Sequence, residues 1–177
     1  MFSGMKIPRY NQQLIDLGIT SEMLTGRKLQ PFEEADSLQL AEIGEDGREY
    51  FLVNEAADAW QRLKKAADSD GENISIVSAF RSVSRQAEII RGKIEKGLSI
   101  EDIIKVCAPP GYSEHHTGCA LDLSTNGVEK LSEEFENSTA FEWLKCNAEN
   151  YFFTLSYPRD NSSGYLYEPW HWRYDAT

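Results

Sequence analysis

The stretch of sequence that decides the fold is residues 113–122, SEHHTGCALD. Gly118 interrupts helical propensity in the middle of this stretch. The run that follows, ALDL over 120–123, favours a strand with Asp122 on one face and the two leucines on the other. A loop that leads into such a strand can bring His115 back over Asp122. The stretch therefore predicts an imidazole and a carboxylate side by side, on a loop and on the strand after it.

A second short motif, residues 168–174 (EPWHWRY), contains the remaining histidine, His171. All three histidines of the chain fall in these two runs, so none serves as general surface filler. Two imidazoles and a carboxylate are common ligands of catalytic zinc, which keeps a further position for water. We therefore expect one zinc ion held by His115, Asp122 and His171, with Glu168 as the general base.

Whether Glu168 and His116 can take part in this site depends on the backbone geometry around them. Residues three apart in a straight strand point to opposite faces, so Glu168 and His171 can serve one ion only if the chain bends near Pro169. An uninterrupted strand from 167 to 174 would contradict that prediction. Neighbouring side chains in an extended segment diverge, so we expect His116 to support the site from behind or to lie at the pocket rim.

The remaining segments show patterns typical of short helices and strands. Residues 37–43 alternate with period two, 44–47 supply turn residues and 49–53 continue as a strand, which together predict a β-hairpin. Asn54 is a good N-cap for a helix that ends before Gly71. Further helices are predicted over 82–95, from Ser99 to before Pro109, and from Thr139, and further strands over 74–79, 151–156 and 170–174.

The order of these elements indicates the fold class. Helices cluster early and strands cluster late, without strict βαβ alternation, which favours an α+β fold with a central, mostly antiparallel sheet and helices packed on it. No linker, repeat or low-complexity segment marks a boundary, so we expect a single domain over 1–177. The irregular pattern of 1–35 predicts a segment that wraps the core, and the zinc site is expected in a cleft.

Composition argues against several classes of partner. The 29 acidic and 18 basic residues give a formal net charge of −11, which argues against nucleic acid or an anionic membrane as partner and favours solubility. No apolar run approaches the ~18 residues that cross a bilayer, and 1–20 lacks the apolar stretch of a secretory signal. We therefore expect a cytoplasmic protein, or a periplasmic or cell-wall protein if a leader was removed. The three cysteines form no Cys-x-x-Cys pattern and are expected to be buried free thiols.

Together the two motifs resemble those of the VanY-type zinc D-alanyl-D-alanine carboxypeptidases. These enzymes belong to a larger group with lysostaphin-type enzymes and the hedgehog signalling domain. The resemblance covers about residues 74–174 and implies a catalytic core there. Its flanking features are Ser78-Ala79-Phe80-Arg81-Ser82 with Gln86, the PPG run over 109–111, and Gly164-Tyr165-x-Tyr167 before the glutamate.

The resemblance also implies roles for residues outside the ligand set. Arg81 would bind the terminal carboxylate of the substrate or stabilise the tetrahedral oxyanion, tasks that suit its planar fork. Substrate contacts are implied for five further residues, Ser113, Gln86, Tyr157, Tyr165 and His116, the last at a position where many relatives carry glutamine. A loop-capping Ser113 and a Gln86 on the helix surface are the alternatives. Trp170 and Trp172 are expected to pack the core rather than stack on carbohydrate.

The function implied by the resemblance is removal of a C-terminal D-alanine from a peptidoglycan-type peptide. A D-Ala-D-Ala dipeptidase, an L,D-carboxypeptidase and an L-Ala–D-Glu endopeptidase remain open within the same fold. A zinc-binding recognition domain without catalysis is the alternative from another class. Glu168 and Arg81 argue against it, because a purely structural site requires no base.

Overall fold

The computed structural model describes residues 11–27 and 29–175. The helices are α1 (Asn11–Asp16), α2 (Ser21–Thr25), α3 (Asn54–Ser69), α4 (Val83–Glu95), α5 (Ile100–Val106) and α6 (Thr139–Asn147). The strands are β1 (Gln39–Ile43), β2 (Glu49–Leu52), β3 (Ser75–Ser78), β4 (Ala120–Ser124), β5 (Phe153–Leu155) and β6 (His171–Tyr174). Short 3₁₀ helices cover Glu114–Thr117, Glu133–Asn137 and Ala148–Tyr151. The architecture confirms the predicted α+β class.

The sheet that positions the site has four antiparallel strands in the order β3-β4-β6-β5. Strand β4 lies inside it and is buried along its whole length. Its Asp122 is the register partner of Ser78 on β3 and of His171 on β6. Directly opposite residues on antiparallel strands project to the same face. The register therefore brings the carboxylate and the imidazole of the two motifs together.

The larger hydrophobic core fills the other face of this sheet. Helix α3 buries a stripe at helical spacing that includes Trp60, Leu63 and Ala67, and this stripe packs with Leu121 and Leu123 of β4. Helix α6 and the predicted hairpin β1–β2 complete the same core. Trp172 is buried in it, as expected, and Trp170 packs against it partly buried. Because one face of β4 packs against the core, Asp122 lies on the opposite face, where the site forms.

A second, smaller core lies between the N-terminal segment and helices α4 and α5. Leu14, Leu17 and Ile19 are buried there with residues such as Ile90 and Ile103. Residues 11–25 of the segment expected to wrap the core include two short helices, α1 and α2, which the irregular sequence pattern did not predict. Both helices are too short to show a periodic pattern. The part of that prediction that concerns residues 1–10 lies outside the described residues.

Smaller corrections concern a helix boundary and the cysteines. Helix α3 has Val53, not Asn54, as its N-cap, because β2 leads almost directly into the helix. The Ser99 cap is confirmed, since its hydroxyl accepts from the Asp102 N–H. All three cysteines are free, but only Cys107 is buried; Cys119 is half-buried and Cys146 is exposed.

No helix in the described part of the chain has both the length and the apolar character that a membrane crossing requires.

Candidate metal centre

Three buried side chains from the two motifs meet on the free face of the sheet. His115, Asp122 and His171 each offer a ligand atom, and these atoms lie within 4.8 Å of one another. Their exposed fractions are 1%, 4% and 3%. Two imidazole nitrogens and a carboxylate oxygen form the donor set that zinc prefers in catalytic sites.

The backbone of the first motif fixes His115. Ser113 caps the 3₁₀ helix that contains it, and Gly118 ends that helix in the left-handed region at φ 67° before β4 begins. A Cβ at Gly118 would lie 2.9 Å from the Leu38 Cδ2 and 3.1 Å from the Val53 backbone nitrogen. Because both the dihedral angle and the space exclude a side chain, glycine is required at this turn.

The ring orientation of His115 leaves one nitrogen available to a metal. Its Nδ1–H donates to the Ala79 carbonyl at 2.6 Å. The buried Nε2 has no hydrogen-bond partner among the described residues and lies 3.2 Å from the Asp122 Oδ2. Burial, helped by nearby Arg81, lowers the pKa of His115 to about 4. A metal ligand must be a neutral imidazole with a free lone pair, and His115 meets this condition. Because the carboxylate of Asp122 lies next to that lone pair, the residues present fit a zinc ion.

His171 is held on both sides by carboxylates. Its Nδ1 lies 3.0 Å from the Asp122 Oδ1, and its Nε2 lies 2.9 Å from the Glu114 Oε2. The Tyr157 ring packs on it at a centroid distance of 4.6 Å. Burial lowers the pKa of His171, but the hydrogen bonds and charges of these carboxylates outweigh burial and raise it to about 10. The surroundings therefore favour positive charge at this point.

Glu168 reaches the same centre because the chain turns at Pro169. The His171 N–H donates to the Glu168 carbonyl at 3.1 Å, and β6 begins only at His171. The predicted bend is confirmed. The Glu168 Oε2 lies 3.8 Å from the His171 Nδ1. Burial raises the pKa of Glu168 to about 7, against the lowering effect of His171. A carboxyl group in this range can both accept and release a proton near neutral pH.

Arg81 lies on the other side of Asp122. Its Nη2 is 3.6 Å from the Asp122 Oδ2, and its side chain is 21% exposed. The Arg81 N–H donates to the His115 carbonyl at 3.2 Å, so the backbone of the first motif holds the arginine. The guanidinium faces a cleft of about 1010 Å³ that is also lined by His115, Asp122, Glu168 and His171. The site thus lies in a cleft, as the sequence predicts.

Comparison with known proteins identifies the family. Residues 49–177 match the family model VanY, described as D-alanyl-D-alanine carboxypeptidase. The chain belongs to the VanY family. It is 39% identical over 129 residues to the putative carboxypeptidase YodJ of Bacillus subtilis (strain 168), a match that covers 70% of this chain and 46% of YodJ. The chain therefore spans less than half the length of this relative.

Two solved structures of similar proteins share the fold. One is the LdcB LD-carboxypeptidase, described with the molecular basis of peptidoglycan recognition (TM-score 0.71, 34% identity, 80% of this chain and 69% of that one). The other is a mutant of the vancomycin resistance D,D-pentapeptidase VanY from a VanB-type resistance cassette, in complex with Zn(II) (TM-score 0.63, 27% identity, 82% of this chain and 83% of that one). A zinc ion in a VanY neighbour agrees with the donor set found here.

Four of the five expected substrate contacts line the cleft of this VanY-family chain: Ser113, Gln86, Tyr157 and Tyr165. Ser113 accepts a hydrogen bond from the His115 N–H, so it caps the loop, as the alternative expects. Gln86 is 1% exposed and does not lie on the helix surface. Its Nε2 donates to the Ala108 carbonyl at 2.7 Å, which fixes the side chain. In the described part of the chain, neither the Gln86 Oε1 nor the Tyr165 hydroxyl has a partner.

His116 lies behind the cleft, and the expectation that it contacts substrate at the pocket rim is wrong. The residue is fully buried. Its Nδ1–H donates to the Arg81 carbonyl at 2.7 Å, and its Nε2 accepts from the Gly111 N–H at 3.1 Å. Both ring nitrogens are therefore engaged with backbone. The side chain links the PPG loop to Arg81, as the alternative of support from behind anticipated.

Sequence reasoning missed Glu114, although it lies inside the decisive motif. Its residue exposure is 9%, and its carboxylate contacts both His171 and Arg173. Burial works to raise the pKa of Glu114, but the hydrogen bond and charge of His171 lower it to about 2. An acidic residue directly before a ligand histidine is the signal that could have pointed to it.

Proposed function

We propose that this chain is a zinc-dependent carboxypeptidase that removes a C-terminal D-alanine from peptidoglycan-type peptides. The observation that carries the proposal is the meeting of five groups in one cleft: three buried donors, with the Glu168 Oε2 3.8 Å from the His171 Nδ1 and the Arg81 Nη2 3.6 Å from the Asp122 Oδ2. Family membership supports the reaction class. A structural zinc site would need neither the glutamate nor the arginine.

One zinc ion would be held by the His115 Nε2, by Asp122 and by the His171 Nδ1. These are the atoms left facing one another once the outer ring nitrogens are bound by Ala79 and Glu114. The chemistry that zinc supplies in such a site is polarisation of a carbonyl and a lower pKa for the attacking water. Three protein ligands leave room for both water and substrate.

Glu168 would act as the proton carrier. Its buried carboxylate accepts a proton from the attacking water and passes it to the nitrogen of the departing alanine. The turn at Pro169 keeps it next to the ligands without making it one of them. A pKa raised by burial to about 7 suits a group that must take up and release a proton in one cycle.

Arg81 would select the end of the peptide. Its permanently charged fork projects into the cleft beside the ligands and can pair with the terminal carboxylate or with the oxyanion. A carboxylate one residue from the scissile bond fits a carboxypeptidase better than an endopeptidase, whose substrate continues past that point. Ser113, Gln86, Tyr157 and Tyr165 would complete the wall around the alanine.

The cleft has room for a peptide as well as for a free dipeptide. Its volume of about 1010 Å³ lies at the upper end of ordinary ligand pockets and far exceeds what two alanine residues occupy. Similarity to LdcB supports a second candidate, an L,D-carboxypeptidase that takes the D-alanine from a tetrapeptide. Both reactions release D-alanine and would use the same groups.

Incubation of the zinc-loaded protein with synthetic stem peptides tests the proposal. The set contains a pentapeptide ending in D-Ala-D-Ala, a tetrapeptide ending in one D-Ala, free D-Ala-D-Ala, and a pentapeptide ending in L-alanine as the stereochemical control. We expect mass spectrometry to show loss of one alanine from the pentapeptide and none from the control. Cleavage of the tetrapeptide alone would assign the L,D-activity. Binding of peptides without any cleavage would overturn the enzyme and leave a recognition domain.

A further inference from the structure

We propose that Glu114 is a positioning residue that orients His171 for the metal and thereby sets the affinity of the site. The inference rests on the proposed zinc site and adds to it a residue that is neither ligand nor base. It assigns a role to a buried carboxylate that the mechanism above does not use.

Glu114 uses both of its oxygens. The Oε2 lies 2.9 Å from the His171 Nε2, and the Oε1 lies 3.2 Å from the Arg173 Nη1. His171 and Arg173 are two residues apart on β6, so they project from the same face and present their polar ends side by side. The carboxylate therefore spans two donors on one strand and is fixed at both ends.

The contact between Glu114 and His171 decides which ring nitrogen of His171 faces the metal site. A carboxylate paired with arginine accepts hydrogen bonds, so the His171 Nε2 carries a proton, and Nδ1 is the nitrogen that would offer its lone pair to the metal in the zinc-loaded protein. The Nδ1 lies 3.0 Å from Asp122, on the side where the other ligand atoms meet. Since Nε2 is on the opposite side of the ring from Nδ1, Glu114 cannot bind the same ion or act as its base.

The placement of Glu114 also links the two motifs. It immediately precedes His115 in the same 3₁₀ helix, and consecutive residues of such a helix point about a third of a turn apart. The His115 side chain therefore points toward Asp122, and the Glu114 side chain points toward His171. The first motif in this way supplies its own ligand together with the group that orients the ligand of the second motif.

The expected size of the effect follows from other metal sites. A ligand histidine commonly donates its second ring N–H to a carboxylate or a carbonyl, and loss of that partner typically lowers metal affinity by about 10–100-fold. His115 has the Ala79 carbonyl in this role, which no substitution removes. His171 depends on a side chain, so the effect can be measured there.

The test is Zn²⁺ affinity, measured by competition with a chromophoric chelator for the full chain and for Glu114→Gln and Glu114→Ala. We expect a loss of about 10–100-fold for alanine and a smaller loss for glutamine, which keeps an acceptor oxygen. Glu42→Gln is the matched control. Glu42 is also a partly buried glutamate and accepts from the Trp60 Nε1–H and the Ile76 N–H, and it belongs neither to the three donors nor to the cleft lining. We expect that variant to change stability but leave Zn²⁺ affinity unchanged.

A second measurement distinguishes a change in the orientation of His171 from a general loss of protein stability. Long-range ¹H–¹⁵N correlation spectra of the zinc-loaded protein should show the proton on the His171 Nε2 in the wild type and in Glu42→Gln, and its loss or rapid exchange in Glu114→Ala. Wild-type affinity and an unchanged His171 signal in both Glu114 variants would overturn the inference alone. Failure of the wild type to bind Zn²⁺ would overturn the proposed metal site and this inference with it. Should the alanine variant not fold, the near-isosteric glutamine variant decides between these results.

Discussion

The two ligand histidines are held in different ways. The His115 ring is fixed by backbone: a capped 3₁₀ helix, a left-handed glycine and the Ala79 carbonyl. The His171 ring is fixed by side chains, with Glu114 at one nitrogen and the Tyr157 ring against its face. The first arrangement follows from a few consecutive residues, whereas the second forms only when distant segments pack. The His115 side should therefore respond to changes in backbone conformation, and the His171 side to the loss of single side chains.

The largest expected effect comes from Glu168, on the His171 side. Glu168→Gln keeps the shape of the side chain but removes its ability to accept a proton, so we expect kcat to fall by about 100–10,000-fold. Zn²⁺ binding should persist, since Glu168 is not among the three ligands. Steady-state kinetics on the pentapeptide, with metal content measured on the same sample, checks both statements. A variant with wild-type kcat would mean that another group is the base.

The next effect concerns the backbone on the His115 side. Gly118→Ala places a Cβ against Leu38 and Val53 at a positive φ, so we expect a loss of more than about 1–3 kcal/mol of unfolding free energy in urea. Gly127→Ala is the control, because Gly127 also has a positive φ but nothing lies within 4 Å of its Cβ position. Equal losses in the two variants would show that crowding at Gly118 contributes nothing.

A smaller effect is expected from His116, which supports Arg81 from behind. His116→Ala leaves the Arg81 carbonyl and the Gly111 N–H without their partner, which we expect to cost about 1–3 kcal/mol of stability. Because Arg81 would bind the terminal carboxylate, KM should rise more than kcat falls. His116→Gln, which can both donate and accept, should recover part of the loss. A decrease confined to kcat would place His116 in the chemistry instead.

The same contrast explains how much of the site could be predicted from sequence. The side-by-side placement of His115 and Asp122 follows from a glycine between a loop and a strand, and the turn that brings in Glu168 follows from Pro169. The roles of Glu114 and His116 could not be derived in this way. Each sits beside His115 in the chain, but its partner, His171 or Arg81, is brought to it only by the packed sheet.

The fold shows a similar division. Long amphipathic segments such as α3 and the alternating hairpin were predicted because their periodicity reflects burial in one core. Helices α1 and α2 were missed because they span only six and five residues. Leu14 of α1 is buried in the smaller core with residues of α4 and α5, and Met23 and Leu24 of α2 pack against that core partly buried. No local pattern encodes these contacts.

The measurement that tests the central claim most directly is activity as a function of bound metal. The protein is stripped with a chelator, titrated with Zn²⁺, and assayed on the D-Ala-D-Ala pentapeptide at each step while bound zinc is counted by elemental analysis. We expect no release of D-alanine without metal and full activity at one zinc per chain. Full activity in the stripped protein, or a zinc-loaded protein that binds the peptide and never cleaves it, would contradict the account.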